Sequence, residues 1–193
     1  MNSREKVLAA ISKNQPPPTA LPSPATLKPV QFEDKKAKFI ATVEGIGAKV
    51  QEVSGYEEIA AYIPTHFPEG SRYVTTLSSL PAFEQVSEKH LPHDLENIEV
   101  AIIAGVFAVA ENGAVWITQQ QVVIRVLPFI CQHLAIVLPA GEIVDNMHQA
   151  YERIGAAQYD FGAFVAGPSK TADIEQSLVL GAHGPRSLVV FLI

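Results

Sequence analysis

The chain has 193 residues, 14 Lys and Arg against 20 Asp and Glu, a formal charge of −6 and 48% hydrophobic content, which describes one ordinary domain with a core of useful size. The acidic balance lacks the basic stripe that phosphate neutralisation requires, which argues against nucleic acid and anionic membrane surfaces as partners. A single cysteine, Cys131, can close no internal disulfide and cannot supply the four thiolates of an ordinary iron–sulfur cluster.

The first thirteen residues alternate charged and apolar side chains and lack the apolar core and cleavage site of a secretory signal. The longest apolar runs, such as residues 100–110, are too short to cross a bilayer as a helix, so a cytoplasmic location is expected. Ser3 is the expected cap of a short helix with Val7, Leu8 and Ile11 on one face, ending before the prolines. Residues 16–24 hold five prolines, which remove backbone donors and favour extended chain, so this stretch reads as an arm that drapes over a surface or bridges to another subunit. Residues 1–27 are therefore assigned as an N-terminal helix and Pro-rich arm, and residues 28–193 as one domain.

Between residues 33 and 47, Phe39, Ile40, Val43 and Ile46 recur at helical spacing, with Gly45 and Gly47 as stop signals. A strand over 48–53 follows, then a helix carrying Tyr56, Ile59, Ala60 and Ile63 that Pro64 is expected to end, then a strand over 72–76. The apolar runs 100–104, 107–110 and 114–118, separated by Gly105 and Asn112-Gly113, predict buried strands. Residues 133–138 give another strand, and Ile143, Val144, Met147, Tyr151 and Ile154 mark the stripe of a helix that Gly155 terminates. After a strand over 161–166, Gly167-Pro168-Ser169 is expected to turn into a helix carrying Ile174, Leu178 and Ala182, before a closing strand over 187–193. This alternation predicts an α/β domain, Rossmann-like, with a mainly parallel sheet flanked by helices.

Gly45 and Gly47 offer two glycines of a dinucleotide fingerprint, but Val50 replaces the third and the glycines precede a strand, so a helix C-cap is the better reading. Ser169-Lys170-Thr171 resembles the end of a phosphate-binding loop whose earlier glycines are missing. Two readings stay open there: a helix cap from Ser169 or Thr171, or an anion site at the helix N-terminus beside Lys170, with Asp173 competing for the same dipole. His66, His90, His93, His133, His148 and His183 share no ligand spacing with Cys or carboxylates, so no metal site is expected; His133 opens a strand and His183 is expected to end a helix. Glu111-Asn112-Gly113 places a carboxylate on a turn between apolar strands, either as a plain hairpin or as a reactive group in need of an oxyanion site.

The segment from Gly167 to Glu175, followed by Leu178 to Leu180 and Gly181-Ala-His-Gly-Pro-Arg186, resembles the C-terminal signature of the LUD-domain family in its lactate-utilization branch. Ala108-Val-Ala-Glu-Asn-Gly113 resembles that family's strand-turn motif, with Asn112 where Thr is commoner, and Leu127-Pro128 with residues 133–137 resembles its Leu-Pro-x-x-His-Ile segment with wider spacing. The resemblance implies the CoA transferase-like fold shared with ribose-5-phosphate isomerase and glucosamine-6-phosphate deaminase. It also implies a part in oxidising L-lactate to pyruvate with separate iron–sulfur proteins, with no redox cofactor of this chain's own.

Two other functions stay open. Ala110-Glu-Asn-Gly113 is also similar to the Ser-Glu-Asn-Gly motif of family I CoA transferases, which would make Glu111 the residue of a transferase-like or sugar-phosphate isomerase-like enzyme. A non-catalytic module binding a small carboxylate or phosphorylated metabolite is the third reading. The site is expected at the carboxyl ends of the strands. There Glu111 would act as acid or base or as an orienting group with Asn112 and Gly113 beside it, Gly167, Ser169, Lys170 and Thr171 would receive an anionic group, and Asp173 or His183 would orient neighbours, with His183 as the second catalytic candidate. A homo-oligomer is compatible with the arm.

Overall fold

The computed structural model describes residues 2–20, 28–67, 71–171 and 179–193. Helix α1, Ser3–Lys13, begins one residue earlier than Ser3 as cap would require. Asn2 accepts the Glu5 N–H at 2.8 Å while the Glu5 carboxylate accepts the Asn2 N–H at 2.9 Å, a reciprocal box that outcompetes a serine hydroxyl. None of its residues is buried. Helix α2, Lys35–Gly45, is capped by the Asp34 side chain on the Ala37 N–H at 2.9 Å and buries Phe39 and Val43. Ile46 and Gly47, the latter at φ +87°, turn the chain into β1, Lys49–Glu52.

Helix α3 spans Tyr56–His66 and runs through Pro64 instead of stopping there. Ile59 and Ile63 are fully buried, His66 stacks on Tyr62 at 3.6 Å, and the Phe67 N–H reaches the Ile63 carbonyl at 3.1 Å, so packing holds the last turn despite the missing proline donor. Strands β2, Tyr73–Thr75, and β3, Glu84–Gln85, lead through a 3₁₀ turn at Pro92–Leu95 to β4, Val100–Ala104. Then come β5, Phe107–Val109; β6, Ala114–Thr118; the short helices α4, Gln119–Val122, and α5, Leu127–Ile130; and β7, His133–Leu138.

Ile143–Val144 is a two-residue strand, β8, rather than the first turn of a helix. Asn146 caps α6, Met147–Ile154, by accepting the Gln149 N–H at 3.0 Å, and Gly155 ends it at φ +54°. Strand β9 is Gly162–Val165 and β12 is Ser187–Leu192. The helix expected after Ser169 is not what the flanks form: Lys170–Thr171, β10, pairs antiparallel with Val179–Leu180, β11, and Gly181 turns at φ +75°. A helix starting at Ser169 or Thr171 would need those residues coiled, and the ribbon takes them instead. Ile174, Leu178 and Asp173 lie outside the described residues.

Six strands form one parallel sheet in the order β1-β12-β7-β4-β2-β3. One face, with Val100, Ile102, Val137 and Phe191, packs on Ile59 and Ile63 of α3. The other, with Ile103, Ile136, Leu188 and Val190, packs on Phe39 and Val43 of α2 and on a second, mixed sheet ordered β8-β5-β6-β9. That second sheet buries Ala108, Val115 and Ile117 inward and Phe107, Val109 and Trp116 outward beneath Ala150 of α6. Successive side chains point to opposite faces, and both faces are covered, which is why these strands read as unbroken apolar runs.

Gly105 carries the chain from the parallel sheet into the mixed one, where an added Cβ would stand 2.6 Å from Val115 Cγ1 and 3.1 Å from Ile136 Cγ2. A Cβ added at Gly45, at the end of α2, would meet nothing within 4 Å among the described residues beyond its own helix backbone and chain neighbours. Gly105→Ala is expected to lose about 1–3 kcal/mol by overpacking, and Gly45→Ala to gain about 0.5–1 kcal/mol from helix propensity and chain entropy; urea unfolding of both variants checks the contrast.

Candidate functional site

The β5–β6 connection is a hairpin whose tip holds Glu111, Asn112 and Gly113. Gly113 sits at φ +71° with its N–H on the Val109 carbonyl at 2.9 Å, and the Asn112 side chain accepts the Ala114 N–H at 3.1 Å. Glu111 is exposed, and its Oε2 accepts the Met147 N–H at 3.0 Å, placing a carboxylate at the N-terminus of α6. There it meets the unpaired N–H groups and the positive end of the helix dipole.

Lys170 does the converse. Its Nζ donates to the Ile46 carbonyl at the C-terminal end of α2, the negative end of that dipole. Gly113 and Gly167, the latter at φ +80°, both lie against the Ile46 side chain, so the two expected halves of the site do approach each other. They meet where α2 feeds the first residue of β1, at the amino edge of the parallel sheet and not at its carboxyl edge.

Gly167, Ser169 and His183 line a cavity of about 230 Å³ with Phe129, Phe164 and Leu188. Leu134 and Leu188, the second residues of β7 and β12, also line it, which again places it at the amino edge. The Ser169 N–H donates to Pro185 O at 2.9 Å and its carbonyl accepts from Gly181 at 3.0 Å, so its backbone is held by the loop that carries His183. His183 is exposed and lies in that loop rather than at a helix end, and Thr171 is part of the β10–β11 ribbon. Asp173 is outside the described residues. Glu111, Asn112 and Lys170 do not line this cavity. Glu111→Gln and Lys170→Met are each expected to cost about 0.3–1 kcal/mol through lost helix-end charge; thermal unfolding of the singles and the double checks this.

The larger opening lies at the carboxyl edge, where the sequence reading expects a site, but it is bordered by residues which that reading does not name for it. Thr118, Gln119, Gln120, Tyr159 and Asp160 border a cleft of about 850 Å³, and an adjoining recess of about 280 Å³ adds Val106, Phe107, Trp116, Gln121 and Arg153. Thr76, just past β2, donates to the Gln121 carbonyl at 2.8 Å, and Val106 lies just past β4, which fixes the edge. Gln121 Oε1 accepts the Thr118 hydroxyl at 2.6 Å and Gln119 Oε1 accepts Arg125 Nε at 2.7 Å, while Gln120 is exposed at the rim. Arg153 stands 4.9 Å from the Phe107 ring and pairs with Glu142.

The wall behind the glutamines is strained. Val123, a β-branched residue, sits at φ +59° and ψ −58°, and the Ile124 N–H closes onto the Val122 carbonyl at 2.6 Å, a γ-turn of the unfavourable hand. Such strain persists where surrounding contacts enforce it, here the fully buried Val122 and the Gln119 amide on Val123 O at 2.5 Å. Three consecutive glutamines following a buried strand were the sequence signal that this cleft left.

His133 opens β7 as expected. Its Nδ1 lies 2.7 Å from Ser187 Oγ and its Nε2 3.5 Å from Glu99 Oε1, with the Phe67 ring 4.9 Å away. Burial, aided by Arg186 and opposed by Glu99, lowers its pKa below the ordinary 6.5. The fold thus favours the neutral ring. This contribution to stability is present above the unfolded pKa and is lost as pH falls through the folded one. Urea unfolding at a series of pH values from 7.5 downward is expected to show declining stability with a smaller slope in His133→Gln.

A family model described as the LUD domain matches residues 36–193. Lactate utilization protein C of Geobacillus thermodenitrificans is 31% identical over 150 residues, 67% of this chain and 62% of that one. The protein of the same name from Geobacillus kaustophilus is 30% identical over 149 residues, 66% and 62% of the two chains. The chain thus spans less than two thirds of the length of these curated relatives. A crystal structure of a DUF162 family protein from Deinococcus radiodurans has the same fold at a TM-score of 0.60 and 16% identity, over 85% of this chain and 99% of that one. The family match begins in α2 and takes in every strand of the parallel sheet, and the chain belongs to the LUD domain family.

Proposed function

We propose that this chain serves lactate utilization in the cytoplasm, as a subunit or accessory protein in the oxidation of L-lactate to pyruvate. The observation that carries this reading is its likeness to lactate utilization protein C over 150 residues. That oxidation removes two electrons and two protons from the hydroxy acid, and the electrons need an acceptor. Cys131, the chain's one thiol, is 1% exposed and pushed up to about 12 by burial, so it stays a protonated core group. Iron–sulfur subunits are the proposed partners that take the electrons.

The carboxyl-edge cleft is the proposed seat of a small carboxylate or phosphorylated metabolite, with Arg153 and the Gln120 amide as donors and Phe107 and Trp116 as the apolar wall. Open α/β sheets bind ligands at this edge, beyond the strand ends. A covalent role for Glu111 draws less support, since its carboxylate caps α6 on an exposed turn.

A tagged chain purified without oxygen from lactate-grown cells is expected to bring down iron and lactate-oxidising activity. A colourless chain alone, together with normal growth of a deletion strain on L-lactate, would remove the proposal. In the complemented deletion strain, Arg153→Ala with Gln120→Ala is expected to slow growth on lactate severalfold with the protein still folded, while Glu111→Gln grows as the parent does.

A further inference from the structure

Helix α1 has an apolar face that the described residues leave exposed. Val7 is 57% exposed, Leu8 48% and Ile11 54%, and no residue of the helix is buried. An eleven-residue helix is marginal in water by itself, and amphipathic helices of this length gain their stability by covering the apolar face. The capping box holds its first turn but does nothing for that face.

A matching surface lies on α6. Met147, His148, Tyr151 and Glu152 border a shallow groove of about 500 Å³, with Tyr151 63% exposed. Glu152 borders the groove with His148 nearby, and Asp145 and Glu111 add two carboxylates at the head of α6. Helix α1 carries Arg4, Lys6 and Lys13 against one acid, Glu5. Face and groove therefore complement each other in both hydropathy and charge.

The arm meets the domain beside this groove. Asn146 Nδ2 donates to the Val30 carbonyl at 2.6 Å, and the Phe32 N–H donates to Asp145 Oδ1 at 2.9 Å. Between α1 and Val30 the sequence has six prolines, at 16, 17, 18, 22, 24 and 29. A proline-rich spacer of sixteen residues, 14–29, spans about 50 Å when extended, whereas the remaining domain has a radius of gyration of about 15 Å. Such a spacer carries a helix clear of its own point of attachment more readily than it folds the helix back there.

We propose that α1 is an exchange arm: its apolar face seats in the α6 groove of a second copy of this chain, whose own α1 returns the contact about a two-fold axis. Each contact is then made twice, and the assembly closes at two chains. The inference stands apart from the lactate reading and fails or holds independently of it.

The test uses the full chain in two single variants, Leu8→Cys and Tyr151→Cys, with the buried Cys131 standing out of reach of the reagents. Mixing the two under mild oxidation is expected to give a disulfide-linked species of twice the chain mass, containing one of each and absent from either variant alone. Light scattering on the unaltered chain is expected to give a dimer, and on Leu8→Glu a monomer whose circular dichroism loses no more than the signal of one eleven-residue helix. Absence of the mixed product overturns the proposal. So does a Leu8→Cys/Tyr151→Cys double variant that links only within one chain, which would place α1 on its own groove, or a monomeric unaltered chain.

Discussion

A parallel sheet cannot face water on either side, and the architecture follows from how this chain covers two faces at once. Alternate residues of β4, β7 and β12 point to two separate cores, one closed by α3 and the other by α2 and a mixed sheet. Using a sheet as a cover creates a second surface that also needs covering. Helix α6 meets that need over Phe107, Val109 and Trp116. The chain must also pass from one sheet to the other without filling the gap between them, and Gly105 occupies the point where a side chain would strike Val115. Layering of this kind leaves two edges open, and both carry cavities.

At the amino edge, charge is spent on structure. Glu111 lies on the N-terminus of α6 and Lys170 on the C-terminus of α2, each sign at the helix end whose dipole favours it. Gly113 and Gly167 let two turns close on the Ile46 side chain, so this edge is stitched together by the same residues that a motif search singles out. The carboxyl edge is different in kind: amide groups, Tyr159 and a strained turn at Val123 border an open cleft.

The strands were legible because two-sided burial writes an apolar run, and the closing helices of the first half because Phe39, Val43, Ile59 and Ile63 keep helical spacing. What misled was local chemistry with more than one use. Ser169-Lys170-Thr171 has the composition of a helix start, yet the ribbon of β10 and β11 claims it, a pairing set by residues further along the chain. Ile143 and Val144 fit a helical stripe, but β5 takes them as a strand through Ala108 and Val109. The site residues were harder still, because a group that binds an anion or a cation and a group that caps a helix are the same group. The cleft at the other edge joins residues 106, 118–121 and 153–160, and no spacing in the sequence announces that meeting.

Trp116 is the only tryptophan in the chain, and it stands in the wall between these two worlds. One side of its ring lies on Phe107 and Phe164 beneath α6, and another meets Tyr159 edge-on at 5.3 Å, at the mouth of the cleft, with Gly162 leaving room for the indole. Its emission therefore reports a single place in the molecule. A solute entering the cleft changes the polarity at the indole without disturbing either core, while loss of the outer layer exposes the ring to water. The protein thus contains an intrinsic optical probe that distinguishes occupancy from unfolding, in its unaltered sequence.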